Sequence, residues 1–421
     1  MALTRRTLVV GAAAVLGVTA AGVIVRCSNE DLAGQKDQDS QGDGQRQASQ
    51  EGNHQPDPIA DAIASMSLEQ KAAQLLAPTP EGLLGALDVD TSASDSYGEK
   101  GVTSVGDDLR DALSTYPVGG LCLFGANITG ADQTRKLLSD LTEATKGVGA
   151  GIPAIISVDE EGGPLVARVA NSGYFDVEKF PAMATLEKAG DSSKAQHVGQ
   201  TIGKYLHELG FSMDLAPVAD VLTNPDNTVI GTRSFGDDPD LVASMVEAEV
   251  QGFAEAGMAC CAKHFPGHGD TVGDSHTGKA TSTRSREELE SCELVPFRAA
   301  IKAGVPAIMV GHIGVPAITG DDVPATLSPE LIDGLLRKEL GFDGLVVSDS
   351  MAMAAIGNDY HSDAAAVGFL KAGGDLVLGP NSLPVAYKGI LDAVKNGDLT
   401  EDRVDQSLTR ILKVKKAYGL I

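Results

Sequence analysis

The 421-residue chain contains no tryptophan, and phenylalanine and tyrosine together make up only 4% of it. A ligand site in this chain would therefore depend on polar contacts more than on stacked indole rings. Basic residues are also few, because 33 Lys and Arg stand against 58 Asp and Glu, for a formal net charge of −25. Such a negative surface repels a phosphate backbone and favours solubility, so nucleic acid is not an expected partner.

Cysteine is scarce too, with five in the chain and no Cys-x-x-Cys pair. Their spacing fits no zinc site. Cys122, Cys260 and Cys261 lie in apolar runs, so we expect buried free thiols rather than a disulfide framework. Cys292 follows a charged stretch and could belong to either class.

The N-terminus has the pattern of an export signal. Arg5 and Arg6 precede an apolar run from Leu8 to Val25, and the paired arginines resemble a twin-arginine signal. The run is long enough to span a bilayer if it is not cleaved, so an anchored and a released extracellular form are both open. We assign residues 1–27 to this signal or membrane-anchor segment.

Residues 28–58 are rich in Gln, Asp, Gly and Ser and contain almost nothing apolar. Such a segment cannot bury enough surface to offset its chain entropy, so we predict a disordered polar tether. The remaining residues, 59–421, form the predicted folded domain. The chain as a whole is 43% hydrophobic, which is ample for a large core.

Short apolar runs alternate with longer helical patterns throughout this domain. The predicted strands are Gln74–Ala77, Gly120–Phe124, Ala154–Val158, Ser212–Ala216, Met258–Ala262, Ala307–Val310, Gly344–Ser348 and Leu376–Leu378. The helical patterns include Lys194–Leu209, Asp240–Glu255, Ser285–Ala303, Pro329–Glu339 and Leu383–Lys395. Eight strand and helix units of this kind predict an α/β fold, a single (β/α)8 barrel of the TIM type.

Polar side chains follow the predicted strands at the ends where such a barrel carries its chemistry. They are Asp159, Asp220, Lys263, His264, His312 and Asp349. A doubly wound open sheet is disfavoured because no glycine-rich turn follows the first strand. The stretch 81–108, rich in Asp, Ser and Gly, is predicted to be an inserted loop at the same end.

The densest group of titratable residues runs from Lys263 to His276, where three His, two Asp and one Lys occur within fourteen residues. Its Gly and Pro content predicts a loop that leaves a strand. A metal site built from His264, His268 and His276 is the main alternative. We disfavour it because no pair has helical ligand spacing and Lys263 would place a cation beside the metal.

Three further patterns contain candidate site residues, two of them carboxylates at the end of a predicted strand. The apolar run 344–348 leads directly to Asp349, where a carboxylate can attack an anomeric carbon or simply cap the next helix. Asp159 begins an Asp-Glu-Glu-Gly-Gly stretch, followed by Arg168. These acids can bind hydroxyl groups or a metal, or form a solvated surface. Arg233 lies in a glycine-containing loop and is a weak signal alone.

Together these motifs resemble glycoside hydrolase family 3, and more narrowly its single-domain β-N-acetylglucosaminidase subgroup. The resemblance rests on Lys-His-Phe-Pro-Gly-His-Gly-Asp-Thr with Asp-Ser-His at its end, Asp-Glu-Glu-Gly-Gly, Ile-Gly-Thr-Arg-Ser-Phe-Gly and Ser-Asp-Ser-Met. It extends from about residue 67 to the C-terminus. This chain departs from the family pattern in one place, where Pro164-Leu165 adds a residue before the segment that ends in Arg168.

The resemblance implies a retaining exo-glycosidase in which Asp349 is the nucleophile and His276, oriented by Asp274, is the acid/base. It implies that the sugar is bound by Asp159, Arg168, Arg233, Lys263, His264 and Met351. It implies no metal and no cofactor. The expected partners are β-linked GlcNAc oligosaccharides or cell-wall muropeptides, and a membrane only through the N-terminal segment.

Three other functions remain open at this point. An Asp and His pair can in principle pass the glycosyl group to phosphate instead of water. A broader β-glucosidase is the second possibility, although such enzymes usually have a further domain that supplies the acid. The third is a non-catalytic protein that binds cell wall or metal, which the intact motifs disfavour.

Overall fold

Parallel strands and covering helices alternate along the chain. The computed structural model describes residues 57–87, 101–187, 190–276 and 278–421. The predicted signal or anchor segment 1–27 lies outside these ranges, and so does the predicted tether except for its last two residues, which begin the first helix. No helix within the described ranges is long and apolar enough to cross a membrane.

The strands of the described part are short, and most are fully buried. They are β1 (Leu76–Ala77), β2 (Gly120–Leu123), β3 (Ile155–Val158), β4 (Glu160–Gly162), β5 (Val166–Ala167), β6 (Met213–Asp214), β7 (Ala259–Phe265), β8 (Ala280–Thr281), β9 (Ala307–Val310), β10 (Ile313–Gly314), β11 (Leu345–Ser348) and β12 (Val377–Leu378).

Helices separate most of these strands. They are α1 (Pro58–Ser65), α2 (Leu68–Gln74), α3 (Pro80–Gly85), α4 (Asp107–Thr115), α5 (Ala131–Lys146), α6 (Met183–Glu187), α7 (Ser193–Leu209), α8 (Pro239–Glu255), α9 (Arg286–Ser291), α10 (Leu294–Lys302), α11 (Pro316–Thr319), α12 (Ala354–Gly357), α13 (Ser362–Ala372), α14 (Leu383–Asn396) and α15 (Glu401–Ala417). A helix with π-type hydrogen bonds covers Glu330–Glu339.

The main sheet is parallel and curled. Six strands pair in the order β11, β9, β7, β6, β3, β2, and β1 pairs with β12 separately. The β1/β12 pair meets one edge of the main sheet through a parallel bridge between Leu376 and Val347. It meets the other edge through a 3.1 Å hydrogen bond from Gly119 N to Leu76 O. A Cβ on Gly119 would lie 1.9 Å from the Gln74 carbonyl oxygen, so this approach requires glycine.

All eight predicted strands are present, but only Ala307–Val310 has the predicted bounds, and two of the shifts change how residues are assigned. Gln74 ends helix α2 instead of beginning β1. Strand β7 continues past Ala262 through Lys263 and His264 to Phe265, so these two polar residues lie in the strand and not in the loop. The extension is possible because Phe265 pairs with Val310 of β9 after a register shift.

The predicted helix Ser285–Ala303 is wrong as a single element, because the chain forms α9 and α10 in its place. Pro296 is the physical cause. It has no N–H to donate to the carbonyl of Cys292, and its ring would collide with that carbonyl in a continuous helix. The helix therefore ends at Ser291 and restarts at Leu294.

The predicted inserted loop 81–108 is also wrong at both of its ends, which lie in helices α3 and α4. Glu81 is buried, and its Oε1 accepts a 2.7 Å hydrogen bond from the Asn127 amide. The start of this segment is therefore packed into the fold. Residues 88–100, the middle of the predicted loop, lie outside the described residues.

One charged side chain is buried in the core away from the strand ends. Lys415 of α15 is fully buried, and its Nζ donates a 2.9 Å hydrogen bond to Gln74 Oε1. Burial disfavours the ammonium and lowers the pKa of Lys415 to about 7.

We expect Lys415→Met to stabilise the protein most at or below about pH 7, with a benefit that shrinks towards about pH 10. Between these values the unfolded chain binds more protons than the folded one, so the stability of the native protein rises with pH by up to about 1.4 kcal/mol per unit. Urea unfolding of both proteins across this range measures the difference. The control is Lys413→Met, since the Lys413 side chain is 58% exposed. A Lys415→Met difference that is constant with pH would contradict the assignment.

Candidate active site

The carboxyl ends of the parallel strands meet around one cavity of about 650 Å³. Strands β3, β7 and β11 each contribute a charged or titratable residue at or next to this end. Eight of the nine sequence-predicted site residues line the cavity: Asp159, Arg168, Arg233, Lys263, His264, Asp274, His276 and Asp349. Residues distant in sequence are thereby brought to one concave surface.

A buried ion cluster forms part of the cavity wall. Lys263 Nζ lies 2.6 Å from Asp159 Oδ1 and 2.7 Å from Glu161 Oε1. Arg233 binds the same Glu161 through two nitrogens, with Nε to Oε2 at 2.7 Å and Nη2 to Oε1 at 2.6 Å. Two cations and two carboxylates therefore compensate one another where water is largely excluded.

Glu161 is the centre of this cluster. Burial alone would raise its pKa, but the charges of Arg233 and Lys263 outweigh burial, and the pKa lies well below its ordinary value. In the sequence this residue is simply one of three adjacent acids. The signal that could have singled it out is its place three residues after a buried strand, beside Asp159.

Asp220 holds two histidines of the Lys263–His276 motif, one in strand β7 and one in the loop that follows. Its Oδ2 lies 2.7 Å from His264 Nδ1, and its Oδ1 accepts a 2.7 Å hydrogen bond from the backbone N–H of His268. Asp220 is completely buried. It was recognised in the sequence as a polar residue after a strand but not as a site residue. The contact leaves His264 Nε2 as the ring nitrogen that can face a ligand.

Asp349 lies directly after β11. Its backbone N–H donates to Val310 O at 2.9 Å, and the N–H of Ser350 donates to Asp349 Oδ1 at 2.8 Å. Burial alone would raise the pKa of Asp349. The neighbouring His264 and His312 outweigh burial, assisted by the N–H of Ser350, and hold this pKa below its ordinary value. Asp349 is therefore a carboxylate at neutral pH.

Asp274 and His276 form a pair within one turn. Asp274 Oδ1 lies 2.8 Å from His276 Nδ1 and also accepts a 2.9 Å hydrogen bond from the His276 N–H. Burial would raise the pKa of Asp274, but these hydrogen bonds from His276 lower it overall. The His276 side chain is 59% exposed. An ionised Asp274 fixes the tautomer with a proton on Nδ1, which leaves Nε2 for proton transfer.

The residue between this pair is buried and anchors the loop. Ser275 Oγ lies 3.0 Å from His268 Nε2, and the other ring nitrogen of His268 lies 2.7 Å from Thr271 Oγ1. Ser275 O also accepts a hydrogen bond from Ala355 N at 3.2 Å. The exposed imidazole of His276 therefore extends from a backbone that the hydrogen bonds of Ser275 hold in place.

Comparison with known proteins identifies the family. The sequence profile of the Glycosyl hydrolase family 3 N terminal domain matches residues 67–414. This chain belongs to glycosyl hydrolase family 3. The motifs quoted from the sequence and the cavity that they line therefore lie in a family 3 domain.

Named relatives in this family match this chain over different shares of their own length. Beta-hexosaminidase A of Pseudoalteromonas piscicida is 34% identical over 342 residues, which are 75% of this chain and 56% of that protein. Beta-hexosaminidase LpqI of Mycobacterium tuberculosis is 34% identical over 316 residues, 73% of this chain and 78% of that protein. The solved family 3 beta-N-acetylglucosaminidase from Paenibacillus sp. str. FPU-7 superposes with a TM-score of 0.75 at 38% identity, covering 85% of this chain and 63% of that one. This chain thus spans just over half of the first relative.

One predicted residue does not reach the family 3 cavity. Met351 is buried in the hydrophobic core, and Met353 lines the cavity in its place. The chain turns sharply after β11, and the Met351 N–H is bonded to Leu378 O at 3.0 Å, which holds Met351 beside β12. Arg168 does line the cavity, with its guanidinium 5.9 Å from the Phe124 ring centre. Its buried Nε has no partner within the described ranges.

The alternative metal site is not assembled. His264 Nδ1 is bonded to Asp220, and both ring nitrogens of His268 are bonded to hydroxyl groups. Across the described part of the chain, no group of three His, Cys, Asp or Glu residues is arranged to hold a metal ion.

The expectation of free thiols is confirmed for the cysteines that the structure describes. Cys122, Cys260 and Cys261 are buried and free, and Cys292 is free and partly exposed.

We expect Glu161→Gln to lower the free energy of unfolding by about 3 kcal/mol, because it leaves two buried cations with one carboxylate between them. Chemical denaturation measures the change. Glu178→Gln is the control, because Glu178 is 51% exposed and pairs with the exposed His197, so its loss should cost less than about 1 kcal/mol. Equal destabilisation by the two variants would show that the buried cluster does not have the assigned role.

Proposed function

We propose that this family 3 protein is a retaining exo-β-N-acetylglucosaminidase, which releases terminal β-linked GlcNAc by double displacement. The observation that carries the proposal is that one cavity is lined both by the ionised Asp349 and by the Asp274 and His276 pair. Retaining hydrolysis requires a nucleophile and an acid/base on opposite sides of one glycosidic bond. The names of the relatives support the choice of GlcNAc as the sugar.

In the first step Asp349 attacks the anomeric carbon while His276 protonates the leaving oxygen. The lowered pKa of Asp349 supports the nucleophile role, since only the carboxylate attacks. Asp274 stabilises the imidazolium of His276 before the proton is given up. In the second step His276 takes a proton from water, and the water releases the sugar from Asp349.

The ion cluster supports a sugar site without tryptophan. Asp159 can accept hydrogen bonds from hydroxyl groups. Arg168, Arg233 and Lys263 line the same cavity and can donate to them. His264 offers Nε2 beside them. Polar contacts of this kind are fixed in place before the sugar binds, so little side-chain entropy is lost on binding.

We further propose that the curled sheet and the β1/β12 pair together make one closed (β/α)8 barrel. Hydrogen bonds at both edges of the six-stranded sheet support it. For the segment 1–27 we propose an export signal or membrane anchor, and for the natural substrate peptidoglycan fragments outside the cytoplasm. Both rest on the basic and apolar N-terminal pattern.

Replacing the proposed nucleophile should abolish turnover of every substrate. Asp349→Asn is expected to lower kcat by about three orders of magnitude or more on aryl and natural GlcNAc glycosides alike. A fluorinated glycosyl donor should label Asp349 in the unsubstituted enzyme, as read by mass spectrometry of its peptide. Asp343→Asn is the control, because that carboxylate is 75% exposed on the surface. A label on any other residue would refute the role of Asp349.

Replacing the proposed acid should discriminate between leaving groups. We expect His276→Ala to lower kcat/KM on chitobiose by about 100-fold to 10,000-fold, because an alkoxide leaves only with a proton. An activated aryl GlcNAc glycoside should be nearly unaffected in its first step. His361→Ala is a matched control, because His361 is exposed and pairs with Asp363 at the same i, i+2 spacing.

Equal losses on both substrates would contradict the role of His276. The same assays with and without inorganic phosphate decide between water and phosphate as the acceptor. A rate of GlcNAc release that depends on phosphate would show that the protein is a phosphorylase and not a hydrolase.

A further inference from the structure

A buried histidine lies behind the wall of the cavity and has no part in the proposed reaction steps. His312 follows strand β9 by two residues, and its side chain is almost completely buried. Asp349 and Ser350 line the cavity, whereas His312 does not. The backbone at His312 is held on both sides, because Gly311 N donates to Phe265 O at 2.9 Å and strand β10 begins directly after it. The imidazole therefore has a fixed position behind the space that the sugar would occupy.

The partners of His312 determine which ring nitrogen carries the proton. Nε2 lies 2.9 Å from the backbone carbonyl oxygen of Ser350, and Nδ1 lies 2.9 Å from Oγ1 of the buried Thr326. A carbonyl oxygen can only accept, so Nε2 is the donor. Burial disfavours the imidazolium and lowers the pKa of His312, so the ring is neutral at neutral pH and Nδ1 accepts from the Thr326 hydroxyl. These three residues form a directed chain of hydrogen bonds from Thr326 through His312 to Ser350 O.

The chain ends on a peptide group close to the proposed nucleophile. The Ser350 carbonyl belongs to the same peptide as the N–H of Met351, which donates to Leu378 O at 3.0 Å. His312 therefore holds one end of this peptide, and strand β12 holds the other. Ser350 O also accepts from Met353 N at 3.0 Å, which closes the turn after β11. A peptide that is bonded at both ends cannot rotate without losing a hydrogen bond.

The N–H of Ser350 connects this turn to the carboxylate. It donates to Asp349 Oδ1 at 2.8 Å, so the orientation of the carboxylate follows the orientation of the Ser350 backbone. On its other side Asp349 is bonded to β9 through its own N–H, which donates to Val310 O. The proposed nucleophile thus lies between two fixed points of the backbone, and one of them is held by His312.

We propose that His312 is a positioning residue for the nucleophile, and that the hydrogen bonds from Thr326 through His312 to Ser350 O hold the turn that aims the Asp349 carboxylate at the anomeric carbon. The proposal rests on the proposed function, because it takes Asp349 as the nucleophile. It adds His312 and Thr326, which neither line the cavity nor belong to the quoted family motifs.

Loss of the Nε2 donor has a defined effect on the reaction. The Ser350 carbonyl would keep only its bond from Met353 N, and its peptide could rotate. A displacement of about 1 Å at a reacting group costs about 100-fold in rate. Rotation would also weaken the hydrogen bond from the Ser350 N–H to Asp349. Both changes impair attack by Asp349 and leave protonation by His276 unaffected.

Several groups determine the pKa of Asp349. Burial raises it, and His264, His312 and the Ser350 N–H together outweigh burial and lower it. The other titratable groups that face Asp349 are Cys261, Lys263 and His268. Substitution of His312 leaves all of these others in place. A raised pKa of Asp349 would then come from the lost hold on Ser350 or from the lost imidazole itself, and an amide in place of the imidazole separates the two.

Two substitutions of similar size provide this separation. His312→Leu removes the donor, whereas His312→Gln keeps an N–H donor at about the reach of Nε2. We expect His312→Leu to lower kcat/KM by about tenfold to 100-fold on chitobiose and on an aryl GlcNAc glycoside alike, because both require attack by Asp349. His312→Gln should recover most of this loss. The rate at which the fluorinated donor labels Asp349 should follow the same order.

The acidic limb of the pH profile of kcat/KM is a readout that a loss of stability alone would not move. The pKa of Asp349 should rise in His312→Leu, so activity should be lost at a higher pH as the pH falls. His312→Gln should return the limb towards its original position. A limb that stays shifted in His312→Gln would show that the imidazole acts on Asp349 through its own charge, and would overturn the positioning role.

A matched pair of threonines tests the other end of the chain. Thr326→Val removes the hydroxyl that holds Nδ1 of His312 and should lower kcat/KM by about threefold. Thr145→Val is the control, because Thr145 is also buried and its hydroxyl donates to Leu141 O and accepts from Ala154 N, in helix α5 and away from the cavity. It should lower the Tm without changing kcat/KM. Equal losses of kcat/KM in the two valine variants would count against the chain.

The outcomes separate this inference from the proposed function. A folded His312→Leu variant with unchanged kcat/KM and labelling rate would overturn the positioning role and leave the hydrolase intact. If His312→Leu does not fold, as judged by thermal unfolding, Thr326→Val decides, and an unchanged kcat/KM in that variant would overturn the role. Failure of the unsubstituted protein to release GlcNAc from any substrate would overturn the proposed function itself.

Discussion

The buried ammonium of Lys263 between Asp159 and Glu161 is the interaction on which the geometry of the site depends. Each of these charges would be costly to bury alone, and each becomes tolerable because the others are present. Arg233 completes the balance from a separate loop. The ends of β3, β4 and β7 are thereby held at fixed distances from one another, and the cavity has a polar wall that does not need to rearrange.

The two proposed catalytic groups are supported in different ways. Asp349 lies after a buried strand, with its backbone bonded to the neighbouring strand. His276 is exposed on a loop, but the residue before it is buried and bonded to His268. A fixed carboxylate suits attack on one anomeric carbon. An exposed imidazole on an anchored backbone suits leaving groups of varied shape.

Expectations drawn from local patterns succeeded where the physical cause was also local. The eight strands were recognisable because parallel strands that are buried on both faces are continuous apolar runs. The helix predicted over Ser285–Ala303 failed because Pro296 breaks the backbone hydrogen bonds that periodicity does not record. Met351 was predicted from the resemblance, and the sharp turn after β11 puts Met353 in the cavity instead.

The sequence by itself determined the alternation of strands and helices, the polar residues at the strand ends, and the Asp274 and His276 pair. That pair needs only one turn of chain, since both of its hydrogen bonds join residues two apart. The tertiary structure alone decided that Lys263 meets Asp159, 104 residues away, and that Asp220 holds His264, 44 residues away. Such contacts depend on how the curled sheet brings its strand ends together. The order of residues along the chain does not show which strand ends lie close to one another in space.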